Sequence, residues 1–329
     1  MKRVDITAYG TPEQVALCVE VPDPGPPGPS EVTFEVLAFP INPADVMFCR
    51  GVYRLRPPLP ATPGAECVGR VLAAGDGVSH VAPGDLVINL QRENWAQRRR
   101  VRGDDVVPLP AGIDLRQAAM VRINPPTAML MLTDVVALEA GAWVLQNAAN
   151  SAVDRLLVRF ARSRGLHTVN VVRREALFSE LTALGADICL VDGPDLAERV
   201  RAAVGGIPIR LALDAVAGHA TRQLAAAVAD GGTVCNYGAM TGEDVVVGYA
   251  DLIFRGVSVV GFMLGPFLAR RSPAEVRALY AEIATQVGGG SLGASVEAVY
   301  SIEDIGAALA HEQRTGRSGK VLVAPNGMI

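Results

Sequence analysis

The sequence has few cysteines, no excess of basic charge and no long apolar run, and each lack removes a class of function. Its five cysteines, Cys18, Cys49, Cys67, Cys189 and Cys235, are scattered without a CxxC pair, and its four histidines stand at no metal-ligand spacing from them. Scattered thiols read as small buried apolar side chains, so no disulfide framework and no metal are expected. Over 329 residues the formal net charge is -4. A surface for nucleic acid normally shows as a basic excess, so no nucleic-acid partner is expected. No uninterrupted apolar run is long enough to span a bilayer, and the start, MKRVDITAYGTPEQV, lacks the apolar core and small-residue site of a secretory leader. The expectation is a soluble cytoplasmic protein with no membrane partner.

Apolar residues are abundant: the hydrophobic share is 50%, enough for a large core, and the length suits two domains. Residues 1 to about 115 read as short strands. EVTFEVLA (31–38) alternates, and CVGRVLA (67–73) and LVINL (86–90) are apolar runs bounded by Gly, Pro and Asp. PDPGPPGPS (22–30) is a connector. Helical patterning begins after Pro110, and from Gly141 strand and helix alternate as a doubly wound parallel sheet requires. The strands are expected at 143–146, 168–172, 188–191, 211–213, 233–236 and 257–262. Helices are expected at 153–163, 177–184, 196–204 and 220–228. The tail, with a helix at 273–286, strands near 296–300 and 320–323 and a helix at 302–313, is expected to return to the first domain. The domains are therefore 1–117 with 265–329, and 118–264.

The stretch WVLQNAANSAVDRLLVRFARSRGLHTVNVVRR (143–174) has the order of a dinucleotide-binding strand, turn, helix and strand, although its turn carries amides where the common fingerprint GxGxxG carries glycines. Val153, Leu156, Leu157, Phe160 and Ala161 form one apolar helical face, which puts Asn147–Ser151 at a helix N-terminus. Free amides and the positive dipole end there can receive a pyrophosphate, with Asn and Ser adding donors. Where an acid would grip the ribose hydroxyls of NAD, this chain has Arg173 and Arg174, which suit a 2′-phosphate. NADPH is the expected cofactor; the alternative is a solvated strand end.

These residues resemble the zinc-independent branch of the medium-chain dehydrogenase/reductase superfamily, most closely the 2-enoyl thioester reductases, with quinone oxidoreductases as near relatives. The resemblance rests on INPADVMFCRGVYRLRPPLPATPGAECVGRV (41–71), RINPPTAMLML (122–132), QNAANSAV (146–153), NVVRR (170–174), GGTVCNYGAMTG (231–242), GFML (261–264) and SGKVLV (318–323). It implies an α/β chain with a GroES-like β domain, built from both ends, and a Rossmann domain. It implies NADPH-dependent reduction of an activated C=C bond, most simply a 2-enoyl thioester on coenzyme A or an acyl carrier protein, with quinones or small enones as the alternative. A homodimer through the last Rossmann strand, near 257–262, is also implied.

By the same resemblance Tyr53 is the catalytic tyrosine, donating a proton or polarising the carbonyl as hydride arrives; a phenol suits an oxygen that gains negative charge. The cofactor residues implied are Thr127, Asn147, Ala149, Asn150, Ser151, Ala152, Val153, Arg173, Arg174, Tyr237, Gly238, Ala239, Phe262, Met263 and Lys320. Asn42, Asp45 and Glu66 read as scaffold. Ala65 stands where zinc-dependent relatives place a ligand histidine.

The chain departs from the family pattern at three positions. Asp154 replaces the fingerprint's last glycine, so its carboxylate either competes with the pyrophosphate or points away to pair with Arg155 or Arg173. A reductase-like protein that binds without turnover is the reading this residue motivates. Met47 replaces an asparagine and Met263 a tryptophan of the enoyl thioester reductases, which changes the acyl pocket. Arg54, Arg56, Arg92, Arg98, Arg99, Arg100 and Arg102 read as a solvated surface, or else as a docking face for coenzyme A or an acidic carrier.

Overall fold

Short apolar runs of the first third become β1 (Lys2–Ile6), β2 (Ala16–Glu20), β3 (Glu31–Pro40), β4 (Val68–Ala74), β5 (Leu86–Asn89), β6 (Arg98–Arg102) and β7 (Val106–Pro108). The structure, a computed structural model, describes all residues 1–329. β3 is the spine of this part. Its alternate side chains Val32, Phe34, Val36 and Ala38 are fully buried, and it pairs antiparallel with β4 and β6. The arginine run forms β6, with Val101 turned inward while Arg98, Arg99 and Arg100 meet Asp23, Glu93 and Glu31. That is the solvated strand face expected of it.

From Trp143 the pattern changes to β8 (Trp143–Gln146), β9 (His167–Val172), β10 (Ile188–Val191), β11 (Leu211–Asp214), β12 (Thr233–Asn236) and β13 (Ser258–Gly261). All pairs are parallel, in the order β10-β9-β8-β11-β12-β13. This is the doubly wound arrangement, with the chain reversing direction across the sheet between β8 and β11. The helix Ala152–Ser163 lays Leu156, Leu157, Phe160 and Ala161 into the core, as its period predicts. The tail returns as β14 (Val296–Ser301) and β15 (Lys320–Ala324), which join the first sheet in the order β14-β15-β3-β4-β5-β7.

Two units result, Met1–Ile123 with Ser272–Ile329, and Asn124–Arg271. They part later than the 117 and 265 read from the sequence, for identifiable reasons. Tyr280 donates to Arg122 O at 2.9 Å and Arg122 donates to Ala65 O at 2.5 Å, which holds 118–123 in the first unit. Arg271 pairs with Asp134 at 2.5 Å, which holds the segment after β13 in the second. No helix is long and apolar enough to cross a membrane.

Candidate functional site

In a parallel sheet all strands end on the same edge, and here that edge gathers most of the expected nucleotide residues. Gln146 of β8 aligns with Asn170 of β9 and Leu213 of β11, and Asp214 aligns with Asn236 of β12. The turn 147–151 therefore emerges beside Arg173 and Arg174, which follow β9, and beside Tyr237, Gly238 and Ala239, which follow β12. Phe262 and Met263 follow β13 along the same edge; the Phe262 ring packs on Phe267 with centroids 4.3 Å apart. Thr127 is buried inside the first turn of the helix Asn124–Asp134, past the position of a cap.

The turn is built by side chains that the structure spends on itself. Asn147 donates to Asp214 Oδ1 at 2.7 Å and accepts from the amide of Ala215 at 2.8 Å, so its amide ties the end of β8 to the end of β11. Asp214, fully buried, also accepts from the amides of Val216 and Ala217 and from Thr221 and Asn236. The sequence offered no local signal for this hub. Ala148 sits at φ 48°, a left-handed conformation that glycine adopts more easily, and Ala149 donates its amide to Val171 O. The first backbone bond of the following helix runs from Arg155 N to Ser151 O at 3.0 Å. The amides of Ala152 and Val153 precede it and are the free donors of the helix end. Asn150 is exposed with an unoccupied side chain.

Asp154 does not pair with Arg155 or Arg173. Its carboxyl is fully buried, and Oδ2 accepts both from Ser151 Oγ and from the Tyr237 hydroxyl at 2.5 Å, while Oδ1 has no partner. Arg155 is occupied by Glu180, and Arg173 has no ion pair. Burial pushes the Asp154 carboxyl up to about 7, against the opposing hydrogen bonds of Ser151 and Tyr237. Burial and the neighbouring carboxyl push the Tyr237 phenol well above its usual value. Tyr237 thus holds Asp154 in place. A Cβ on Gly238 would stand 2.8 Å from Ala215 O, so the strand-end backbone approaches there only because that residue is glycine.

The arrangement fits a dinucleotide. Two free amides lie at the positive end of a twelve-residue helix, a carboxyl beneath them is held near neutrality, and Arg173 and Arg174 stand exposed and unpaired at the adjoining strand end. No three His, Cys, Asp or Glu side chains cluster as metal ligands would.

The remaining expected residues belong to the first unit. Tyr53 follows the helix Pro43–Cys49 and is half-buried against the core, and its hydroxyl makes no hydrogen bond. Gly51, at φ 71°, lies where a Cβ would meet the Tyr9 ring at 2.7 Å, which explains the glycine of this GxY turn. Lys320 is buried, and its ammonium donates to Asn42 Oδ1 at 2.7 Å and to Ile41 O at 3.2 Å. Asn42 in turn donates to Glu66, and Asp45 accepts from the amides of Asn42 and Ala65. Burial raises the Asp45 and Glu66 carboxyls, and both are scaffold groups.

The family models for a zinc-binding dehydrogenase and for an alcohol dehydrogenase GroES-like domain match residues 152–285 and 28–111. The mitochondrial enoyl-[acyl-carrier-protein] reductase of Rattus norvegicus is 34% identical over 287 residues, covering 85% of this chain and 77% of its own. The Homo sapiens protein of that name is 32% identical over 301 residues, covering 89% and 81%. A solved structure from Bacillus thuringiensis, described as an NADPH:quinone reductase, superposes with a TM-score of 0.91 at 28% identity, covering 98% of both chains. The complex of Etr1p with NADP and crotonyl-CoA shares the fold, with a TM-score of 0.87 at 24% identity over 98% of this chain and 99% of its own. With its GroES-like β unit and doubly wound unit, this chain belongs to the medium-chain dehydrogenase/reductase family, in the group of the enoyl and quinone reductases.

Proposed function

We propose that the protein reduces an activated C=C bond with NADPH, most simply that of a 2-enoyl thioester on coenzyme A or an acyl carrier protein. The observation that carries the cofactor choice is the bare pair Arg173 and Arg174 at the end of β9, where no carboxylate competes for either guanidinium. The amides of Ala152 and Val153, with Asn150, Ser151 and Ala149 around them, would receive the pyrophosphate. Asn147 and Tyr237 would shape that seat from below, Gly238 and Ala239 would border it, and Thr127, Phe262 and Met263 would line the path toward the nicotinamide. Lys320 is assigned to the scaffold.

When bound, NADPH supplies a hydride to the β carbon of the conjugated bond. As that C–H bond forms, the π electrons of the C=C bond move through the α carbon, and those of the carbonyl move onto its oxygen. Tyr53 can hydrogen-bond that oxygen or pass its proton to the α carbon, restoring the carbonyl, and water returns the proton to the phenolate. The free Tyr53 hydroxyl supports this role.

Quinones or small enones are the second reading, favoured by Met47 and Met263 where the enoyl thioester reductases carry an asparagine and a tryptophan. Binding without turnover was motivated by a charged Asp154; a carboxyl near neutrality opposes a pyrophosphate less and so supports turnover. We also infer a homodimer through β13 and a cytoplasmic location, although the curated relatives carry mitochondrial names. Titration with NADPH and NADH followed by an NADPH-oxidation assay on enoyl thioesters, enones and quinones tests the reading. Saturable NADPH binding and turnover of crotonyl thioester are expected; the absence of binding by either nucleotide would defeat it.

A further inference from the structure

Arg92 reads from the sequence as one of seven surface arginines, yet the structure sets it apart. Its side chain is only 25% exposed, and its guanidinium carbon lies 5.2 Å from the centre of the Tyr53 ring and 5.9 Å from that of Phe48. Nη2 is buried without a hydrogen bond, 3.5 Å from the fully buried Asp45 Oδ1. Asp45 is already engaged by the amides of Asn42 and Ala65, so it attracts the guanidinium without bonding to it. The cation is therefore held between a buried carboxyl and the face of one tyrosine ring.

The loop that carries Arg92 is fixed from below. Asn89 accepts from Gln91 N at 3.0 Å and donates to Asn94 Oδ1 at 2.7 Å, and Asn94 donates to Gln91 O at 2.8 Å. Arg99 donates to the carbonyl of Arg92 itself at 3.2 Å. The next residue, Glu93, is held at φ 67°, a conformation that costs a non-glycine residue energy. A solvated arginine needs neither the buried amide network nor the strained neighbour.

We propose that Arg92 is the positioning residue for Tyr53: lodged between Asp45 and the Tyr53 ring, it fixes the direction of the free hydroxyl and holds positive charge beside the group that meets the substrate carbonyl. Guanidinium suits this task because it is planar and stacks on an aromatic face while keeping its charge. The inference rests on the reading of Tyr53 as the acid-side residue. Phe48 supports the far edge of the stack, which leaves the Tyr53 hydroxyl as the group free to act.

A double-mutant cycle with crotonyl thioester tests it. Arg92→Leu should lower kcat about tenfold, with KM and the NADPH dissociation constant changed less than about threefold, and Arg92→Lys should recover part of the loss. In a Tyr53→Phe background the same Arg92→Leu change should alter kcat by less than about twofold, because its target is gone. In protein labelled with 3-fluorotyrosine, the Tyr53 fluorine resonance, identified by its loss in Tyr53→Phe, should move in Arg92→Leu. An equal loss of kcat in both backgrounds, or no loss in either, overturns the proposal while leaving Tyr53 its role. Undiminished turnover by Tyr53→Phe alone removes Tyr53 from the mechanism, and the proposal with it. Should Arg92→Leu fail to fold with Asp45 unopposed, Arg92→Lys takes its place in the cycle, with a smaller loss confined to the Tyr53 background.

Discussion

The Tyr237 hydroxyl donates to Asp154 Oδ2 at 2.5 Å, joining the residue after β12 to the first turn of the helix Ala152–Ser163 across 83 positions of sequence. Burial pushes this helix-end carboxyl up to about 7 in spite of that contact, which acts in the opposite direction, at the place proposed for a pyrophosphate. A doubly charged pyrophosphate at the helix end would favour the protonated carboxyl further, so binding draws a proton whenever the free protein has released it. Below about pH 7 the proton is already present and affinity is flat; above it the NADPH dissociation constant should rise with pH, by at most about tenfold per unit. Asp154→Gly should bind NADPH more tightly than the wild type at about pH 8 and equally at about pH 6. Calorimetry in buffers of different ionisation enthalpy reads the proton directly. A wild-type affinity independent of pH sinks this linkage.

The same carboxyl sets a stability window. Its ordinary value is 3.8 and its folded value about 7, so between these the folded state keeps a proton that the unfolded chain releases. The stabilisation is complete below the ordinary value and is lost as the pH rises through the folded one. Asp154→Asn cannot ionise and should escape that loss, gaining more than about 1 kcal/mol relative to wild type between pH 5 and pH 8. Thermal unfolding of both proteins across that range measures the difference. Parallel curves would mean that the carboxyl is charged in the folded protein.

Much of the architecture was legible because apolar runs bounded by glycine and proline leave few alternatives. β8, β10 and β12 fall at the bounds read from the sequence, and the helix Ala152–Ser163 differs by one residue. β1, β2 and β7 were not singled out as strands, because they are short or carry charge outward. The helix Pro43–Cys49 was missed for a related reason: it is short, and its capping box between Asn42 and Asp45 was masked by the surrounding prolines. The nucleotide turn and the arginine pair were found by their order along the chain. The partners of Asp154, Asp214 and Arg92 were not, since each contact depends on how separate strands align, which no local pattern records.

Arg173 and Arg174 give a prediction on specificity. Neither guanidinium has a protein partner, so replacing either by alanine breaks no internal ion pair and should leave the melting temperature within about 1 °C. Each replacement should weaken NADPH binding by about tenfold or more, the scale of a hydrogen bond to a charged group, and leave NADH binding unchanged. Equal weakening of both nucleotides would assign the pair a general role at the strand end in place of 2′-phosphate recognition.

β13 gives the last prediction. It is the edge strand of its sheet, with backbone groups unpaired along one side, and an edge of this kind either is covered or invites another strand. Val260 on it is 38% exposed, and Ile253 and Phe254, which precede it in sequence, are 70% and 75% exposed. Apolar side chains beside an open edge suit a second copy of the same chain, because two-fold symmetry sets each strand antiparallel to itself and buries both patches at once. Val260→Lys would bring like charges together across that axis and leave the interior of the sheet untouched. Light scattering coupled to size exclusion should find a dimer for the wild type and a monomer for the variant, with the circular dichroism spectrum unchanged. A wild-type monomer, or a variant that remains dimeric, would remove β13 as the interface.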